Sequence, residues 1–558
     1  MSSFPTDIEI ASKAEPRPIL EIAAKLGLKP EDLDLYGTDK AKVHLDALNK
    51  RKKGQGKLIL VSAITPTPAG EGKTTATIGL TQGLARVGKN VCCAVREPSL
   101  GPIFGIKGGA AGGGYSQIIP MEDINLHFTG DMHAITAANN LLCAAIDNHL
   151  HQGNDCLLDA RTVSFKRVMD MNDRSLRDIV IGLGGKTQGV PRETGFDITA
   201  ASEIMAILAL ANDLDDLKER IDRIFIGLTF DGKEVTAKRM GVTGAMAMLL
   251  KDAIKPNLVQ TLEGNPAFVH CGPFANIAHG CNSILATKMA VAFSDWVVTE
   301  AGFGFDLGAE KFFDIKCVYG DLCPSLVVLV VTCRALKMHG GVKKRNLNSP
   351  DPEKLEAGLP NMVKHLENIS KFKLPAVVCL NRFASDTDAE VELVVDYCKD
   401  MGIPVAIGDG FARGGEGMED LADLVVNYAQ DCKGTFKPLY DWNDTVEKKI
   451  EIVAKEIYGA EHIDFTTQAK KDLRTIKKFG YDKLPVCIAK TQKSLSDNPR
   501  LLGRPKDFVV TVRDIEISAG AGFLVPVTGA IMRMPGLPAT PAAENMDVDD
   551  EGNVTGLF

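Results

Sequence analysis

Short runs of β-branched and aliphatic residues alternate along this chain with longer stretches of helical periodicity. Residues 57–64 (KLILVSAI) are apolar at nearly every position and predict a strand. Residues 74–87 predict the helix after it, and residues 90–96 (NVCCAVR) the next strand. Residues 131–150 predict a helix with Ala137, Leu141, Ala144 and Ala145 roughly on one face. Residues 179–183, 296–300 and 326–332 are further continuous apolar runs. A strand that is apolar on both faces is covered on both faces. The pattern therefore predicts an α/β fold with a mostly parallel sheet between helices.

A polar, proline-containing stretch at 342–356 interrupts this rhythm. A second α/β stretch follows, with strands at 376–380 and 404–407 and helices at 386–399 and 417–430. Residues 433–444 read as another junction. Beyond it the spacing predicts helices at 446–458 and 467–479, then strands near 486–489 and 508–512. Three regions result: a large P-loop-type domain at 1–350, a smaller α/β domain at 351–437 and an α+β domain at 438–558. No internal repeat is visible.

Composition narrows the class. Apolar residues make up 45% of the 558, enough to bury a large core, which excludes global disorder. The net charge of −8 argues against a partner held through duplex phosphates, but leaves room for small anionic ligands in a local basic pocket. The basic run at 50–53 reads as a solvated loop. Thirteen cysteines cannot all pair, and none forms C-x-x-C, so reduced and mostly buried thiols are expected. The N-terminal residues carry Asp7 and Glu9 and no apolar signal core, and no apolar run is long enough to span a bilayer. A cytoplasmic protein with no membrane partner is the expectation.

The strongest chemical signal follows the first strand: Thr65-Pro66-Thr67-Pro68-Ala69-Gly70-Glu71-Gly72-Lys73-Thr74-Thr75, then a helix. Strand, glycine turn, Lys-Thr and helix form the phosphate-loop arrangement. Glycines let successive N–H groups face one anion, and the helix N-terminus adds partial positive charge. Lys73 can reach β- and γ-phosphates, and the Thr74 hydroxyl can ligand Mg²⁺. The usual pattern has Gly where Thr67 stands, so a tight turn that merely contains Lys is the competing reading.

The next predicted strand ends in Arg96-Glu97-Pro98-Ser99. If that strand lies beside the first, Arg96 enters the same crevice, where its guanidinium can hold an acyl phosphate or stabilise phosphoryl transfer. A surface pair with Glu97 is the alternative. Then comes Gly105-Ile106-Lys107-Gly108-Gly109-Ala110-Ala111-Gly112-Gly113-Gly114-Tyr115. So many glycines suit a close backbone approach to a ligand or a mobile lid; a flexible linker is the plainer reading. His127, Asp131 and His133 are ligand types, but a capped helix start explains them more simply. His270, Cys271, His279 and Cys281 fit no familiar zinc spacing. Glu300, at the end of an apolar run, can hold Mg²⁺ or its water, or cap the next turn.

These segments resemble one family, formate–tetrahydrofolate ligase. The phosphate loop, REPSLGP (96–102), GIKGGAAGGGY (105–115), GPFANIAHGCNS (272–283) and VVTCRALKMHGG (330–341) are similar to its signatures. So are NRF-x-x-DTDAE (381–390), SAGAGF (518–523) and MPGLPATPAA (534–543). The resemblance covers nearly the whole chain, at a length that suits the monofunctional form. It implies ATP-dependent ligation of formate to N10 of tetrahydrofolate through formyl phosphate. It implies Mg²⁺ with ATP, a monovalent cation (K⁺ or NH₄⁺) and a homotetramer. Thr67, Ala69, Gly70, Glu71, Gly72, Lys73, Thr74 and Thr75 match the nucleotide loop. Arg96 matches the residue that holds formyl phosphate. Glu97, Gly105 and Tyr115 fall to the substrate pocket, and Asp131 to the proton leaving N10. Phe383 matches an aromatic that stacks on folate. Phe411 stands where the family is expected to carry Trp, and Cys271 where it is expected to carry Gly.

Two other classes fit parts of the chain. A P-loop switch ATPase shares the loop, but has no use for the aromatics or a third region. A nicotinamide dehydrogenase needs a strand-linked GxGxxG, which is missing here.

Overall fold

The structure is a computed structural model. It describes residues 4–50, 56–68, 70–106, 111–431, 436–529 and 531–557. Its central sheet follows the order Leu33–Tyr36, Lys40–Val43, Asn257–Thr261, Pro266–Val269, Val91–Val95, Trp296–Glu300, Lys57–Ala63, Pro324–Val331, Ala376–Asn381, Val405–Gly408. The strands from Pro266–Val269 to Val405–Gly408 are parallel to their neighbours, and the first three pairings are antiparallel. The α/β expectation and the mostly parallel sheet hold.

Alternation within the apolar runs sorts side chains between two cores. Leu58, Leu60, Val327, Leu329 and Val378 pack on one face; Ile59, Val61, Ala63, Val328 and Val377 pack on the other. The helix Lys73–Arg86 and the helix Glu419–Tyr428 cover the second face through Ile78, Leu80, Leu84, Leu421 and Val425. The first face takes the helices Ile284–Phe293 and Pro352–Lys371 and much of the C-terminal region. A third core lies in the segment between Val91–Val95 and Asn257–Thr261, where the helices Asp131–His151, Glu203–Leu210 and Thr243–Leu250 pack together.

Several expectations change. The apolar run at 179–183 is not part of the main sheet: Ile179–Ile181 pairs only with Arg192–Thr194 in a half-exposed antiparallel ribbon. The polar stretch at 342–356 contains the start of the helix Pro352–Lys371, whose proline at the first position needs no donor. Near 486–489 only isolated bridges form, from Val486 and Ala489. The strands Ala376–Asn381 and Val405–Gly408 continue the central sheet. Among the described residues eleven cysteines are free thiols, ten of them buried, but Cys323 is disulfide-bonded, which departs from the all-reduced expectation. No described helix is long and apolar enough to cross a membrane.

Candidate active site

Because the central strands run parallel, their carboxyl ends share one edge. Thr65, Arg96, Glu300, Thr332, Asn381 and Phe411 all stand at or just past such ends. The crevice outside those ends is where α/β sheets bind ligands.

The phosphate loop is shaped by its own side chains and by two helices behind it. The Thr65 hydroxyl pairs with His365 Nε2 at 3.0 Å and accepts from Asn361 at 3.1 Å. His339 Nε2 lies 2.8 Å from the Thr65 carbonyl oxygen. Glu71 Oε1 accepts from the Thr67 N–H at 2.6 Å, and its other oxygen accepts from the Thr332 hydroxyl. The carboxylate of Glu71 therefore folds the loop, and its carbonyl is held by the Asn381 amide at 3.0 Å. The Gly70 N–H donates back to the Thr67 carbonyl at 3.0 Å. Gly72 stands at φ +70°, and a Cβ there would lie 2.4 Å from Asn381 Nδ2. Only glycine fits, and the helix starts at once with Lys73. Gly72, Lys73, Thr74 and Thr75 remain partly open to the crevice. Ala69 lies outside the described residues.

Glu300 draws two predicted site residues together. Its Oε2 accepts from Thr74 Oγ1 at 2.9 Å, and its Oε1 lies 3.4 Å from Arg96 Nη2. Glu300 is fully buried, while Arg96 is 22% exposed, so the guanidinium keeps a face toward the crevice. Arg96 is thus next to the phosphate loop, and its partner is Glu300, not the adjacent Glu97.

Glu97 turns the other way, into a cavity of about 270 Å³ that it lines with Asp131, His127, His133 and Asp170. Asp131 accepts from Lys42 Nζ at 2.7 Å and from Asn257 Nδ2 at 2.8 Å. Burial, and then the neighbouring Asp131 charge, push the Glu97 carboxyl well above the usual carboxylate range. Glu97 therefore favours its protonated form beside the Lys42–Asp131 pair. That buried lysine was invisible in the sequence.

The two aromatics have separate settings. The Phe383 ring carries the Arg334 guanidinium 3.5 Å from its centre. Phe411 stacks on Phe4 with ring centres 5.3 Å apart, and Phe4 meets Tyr115 edge-on at 6.1 Å. The described part of the glycine run is tied down beside them. The Gly114 N–H donates to Asp7 Oδ1 at 2.7 Å, and the Tyr115 N–H to the Phe411 carbonyl at 2.9 Å. Gly105 ends the helix Leu100–Gly105 against the Asn172 side chain. Residues 107–110, part of the proposed lid, lie outside the described residues.

Cys271 has φ +56°, a left-handed backbone in which glycine is strain-free. That accounts for the expected Gly. His270 is a structural group: its ring nitrogens lie 2.7 Å from Ser283 Oγ and 2.6 Å from the Ala253 carbonyl. The sequence did not single out Asn361, His365 or Lys42, though His339 lies within a quoted motif. Thr332 and Asn381 do lie within the quoted motifs VVTCRALKMHGG and NRF.

A family model, formate–tetrahydrofolate ligase, matches residues 5–558. The chain belongs to the formate–tetrahydrofolate ligase family. It is therefore a ligase of one-carbon folate metabolism, and the family uses ATP and tetrahydrofolate. Membership implies ATP-dependent joining of formate to tetrahydrofolate, with small molecules as substrates. The match also removes the switch ATPase and the dehydrogenase as readings of the whole chain.

Proposed function

We propose that this chain makes 10-formyltetrahydrofolate in two steps at one site, through formyl phosphate. The observation that carries this is the Glu300 carboxylate, shared between Thr74 of the phosphate loop and Arg96. That sharing supports a single place for the terminal phosphate of ATP and for an acyl phosphate.

In the first step a formate oxygen attacks the γ-phosphorus, and the bond to the ADP oxygen breaks. The backbone N–H groups of Glu71, Gly72 and Lys73 and the Lys73 ammonium hold the phosphates, with Thr74 and Thr75 at the helix start, while the Thr67 and Gly70 N–H groups are spent on folding the loop. Thr74 and Glu300 offer hard oxygen donors that suit Mg²⁺. When bound, Mg²⁺ supplies charge neutralisation to the phosphates. Arg96 holds the formyl phosphate with its planar fork.

In the second step the N10 lone pair attacks the formyl carbon. The C–O bond to phosphate breaks, and phosphate leaves with an oxygen that came from formate. N10 is cationic after attack and strongly acidic, so even the paired Asp131 carboxylate can take its proton. Glu97, Gly105 and Tyr115 line the substrate side, and Phe383 and Phe411 offer faces to folate. Formyl phosphate hydrolyses in water, so solvent exclusion between the steps is part of the proposal.

The large sheet, with the strands of 351–437 built into it, then serves as a P-loop-type domain, and 438–558 as a further domain. A homotetramer and activation by K⁺ or NH₄⁺, which rest on the resemblance, complete the proposal, together with a cytoplasmic setting that rests on the odd, scattered cysteines and the short apolar runs.

The test omits ATP, formate and tetrahydrofolate in turn and reads acid-formed methenyltetrahydrofolate by absorbance. Product should need all three and vanish in Lys73→Ala. With [¹⁸O]formate, the released phosphate should carry one formate oxygen. Phosphate without that label would overturn the intermediate.

A further inference from the structure

Far from the phosphate loop in sequence, the helix Asp131–His151 ends in a tight turn that gathers three different ligand types. Cys156 Sγ lies 2.9 Å from His149 Nε2, and Asp155 Oδ1 lies 3.3 Å from the same nitrogen. All three ligand atoms fall within 4.8 Å of one another. We propose that His149, Asp155 and Cys156 form a binding site for a thiophilic divalent cation of the Zn²⁺ class.

The donor set argues for that class. Thiolate and imidazole select zinc-like ions, whereas Mg²⁺ and Ca²⁺ take all-oxygen sets. Cys156 is also the one free thiol, among the described residues, that is not buried. An ion can reach it from solvent, as it cannot reach Cys92 or Cys281.

The turn is built to hold the ligands in place. Asn154 adopts φ +50°, and its side chain accepts from the Leu158 N–H at 2.8 Å and donates to the Leu158 carbonyl at 2.9 Å. Its own N–H donates to the His149 carbonyl at 3.0 Å, which folds residue 156 back onto the helix end. Asp155 Oδ2 lies 3.7 Å from Arg239 Nη2, so Arg239 steadies the oxygen that does not face the histidine.

The spacing is close to what an ion needs. Tetrahedral zinc, with Zn–S of about 2.3 Å and Zn–N of about 2.0 Å, separates sulfur from nitrogen by about 3.5 Å. Entry of the ion therefore requires the Cys156–His149 pair to part by about 0.6 Å. On binding, the Cys156 thiol gives its proton to solvent and the metal–sulfur bond forms, with no change of oxidation state. Three protein ligands leave a fourth position for water.

The test uses the full chain, stripped of metal and held in excess Mg²⁺ so that hard-oxygen sites are filled. Anaerobic Co²⁺ titration should give a thiolate-to-cobalt charge-transfer band that saturates at one ion per chain. Zn²⁺ should bleach it. Cys156→Ser should abolish the band, and His149→Gln and Asp155→Asn should each weaken Zn²⁺ binding by more than about tenfold in a chelator competition. Circular dichroism melts of each variant confirm that the fold persists. No band with the intact chain, or an equal band in Cys156→Ser, would overturn the proposal.

Discussion

The Thr74 hydroxyl donates to Glu300 Oε2 across 2.9 Å, which joins the start of the helix Lys73–Arg86 to the end of the strand Trp296–Glu300, 226 residues apart in the chain. The same carboxylate faces Arg96. Glu300→Gln keeps the shape and removes the charge. We expect kcat to fall on the order of 100-fold, the scale of losing one preorganised electrostatic group. The melting temperature should hardly move, because an amide is cheaper to bury than a carboxylate. Steady-state kinetics beside thermal melts check this. Unchanged kcat would reduce the bridge to a packing contact.

Gly114 ties the glycine run to Phe411. A Cβ at Gly114 would come 2.0 Å from the Phe411 carbonyl oxygen, at a residue with φ +56°. Gly114→Ala should therefore displace the Phe411 helix and raise KM for tetrahydrofolate several-fold. KM for ATP should change much less, since no contact joins Gly114 to the phosphate loop among the described hydrogen bonds. Equal effects on both would mean that the whole crevice had shifted. Phe411→Trp restores the larger stacking surface and should lower the tetrahydrofolate KM.

Six parallel strands of the central sheet were legible because burial on both faces makes them nearly continuous apolar runs, whereas Leu33–Tyr36, Lys40–Val43, Asn257–Thr261 and Pro266–Val269, at the antiparallel end, carry short or mixed patterns that gave no signal. Residues 296–300 illustrate this, with bounds that match the observed strand. Residues 179–183 show the limit: an apolar run of the same look sits in a small ribbon, because only tertiary packing decides which runs join the sheet. The turn from strand to helix at 65–75 was legible since its glycines and Lys-Thr are local. Its support was not. Asn361 and His365 stand about 300 residues from Thr65 in the helix Pro352–Lys371, where no local spacing ties them to the loop. Lys42 gave no signal either, since a single lysine in a short strand has no spacing to betray its buried partner Asp131.

The backbone of Cys271 makes a prediction that side-chain size alone would reverse. Cys271→Ala removes the sulfur and keeps the left-handed strain. Cys271→Gly removes more atoms but relieves strain of about 1–2 kcal/mol. The extra cost of Gly, about 0.5–1 kcal/mol in chain entropy, is smaller than that relief. The Gly variant should be at least as stable as the Ala variant by urea unfolding. A Gly variant clearly weaker than Ala would show that packing of the Cβ outweighs the strain.

Buried imidazoles cost stability in acid, and His279 and His339 are held below the ordinary value alongside His270 and His365. Burial holds His270 and His365 down to about 4, from the ordinary 6.5. Each is neutral in the fold, so below pH 6.5 the unfolded chain takes up a proton that the folded chain refuses. Stability from each is complete above pH 6.5 and is lost as the pH falls toward 4. From pH 6.5 to 5 the loss is about 2 kcal/mol per group, at roughly 1.4 kcal/mol per pH unit. His365 pairs with Thr65 of the phosphate loop, so its replacement would mix stability with nucleotide binding. His270 sits apart, between Ser283 and Ala253, and gives the cleaner test. His270→Gln should start less stable at pH 7.5, because one of two short hydrogen bonds is compromised. Its further loss between pH 7.5 and 5 should be about 2 kcal/mol smaller than that of the parent chain. Urea unfolding at the two pH values measures both. If the parent and the variant lose the same amount, His270 is protonated in the folded chain, and the acid sensitivity comes from other groups.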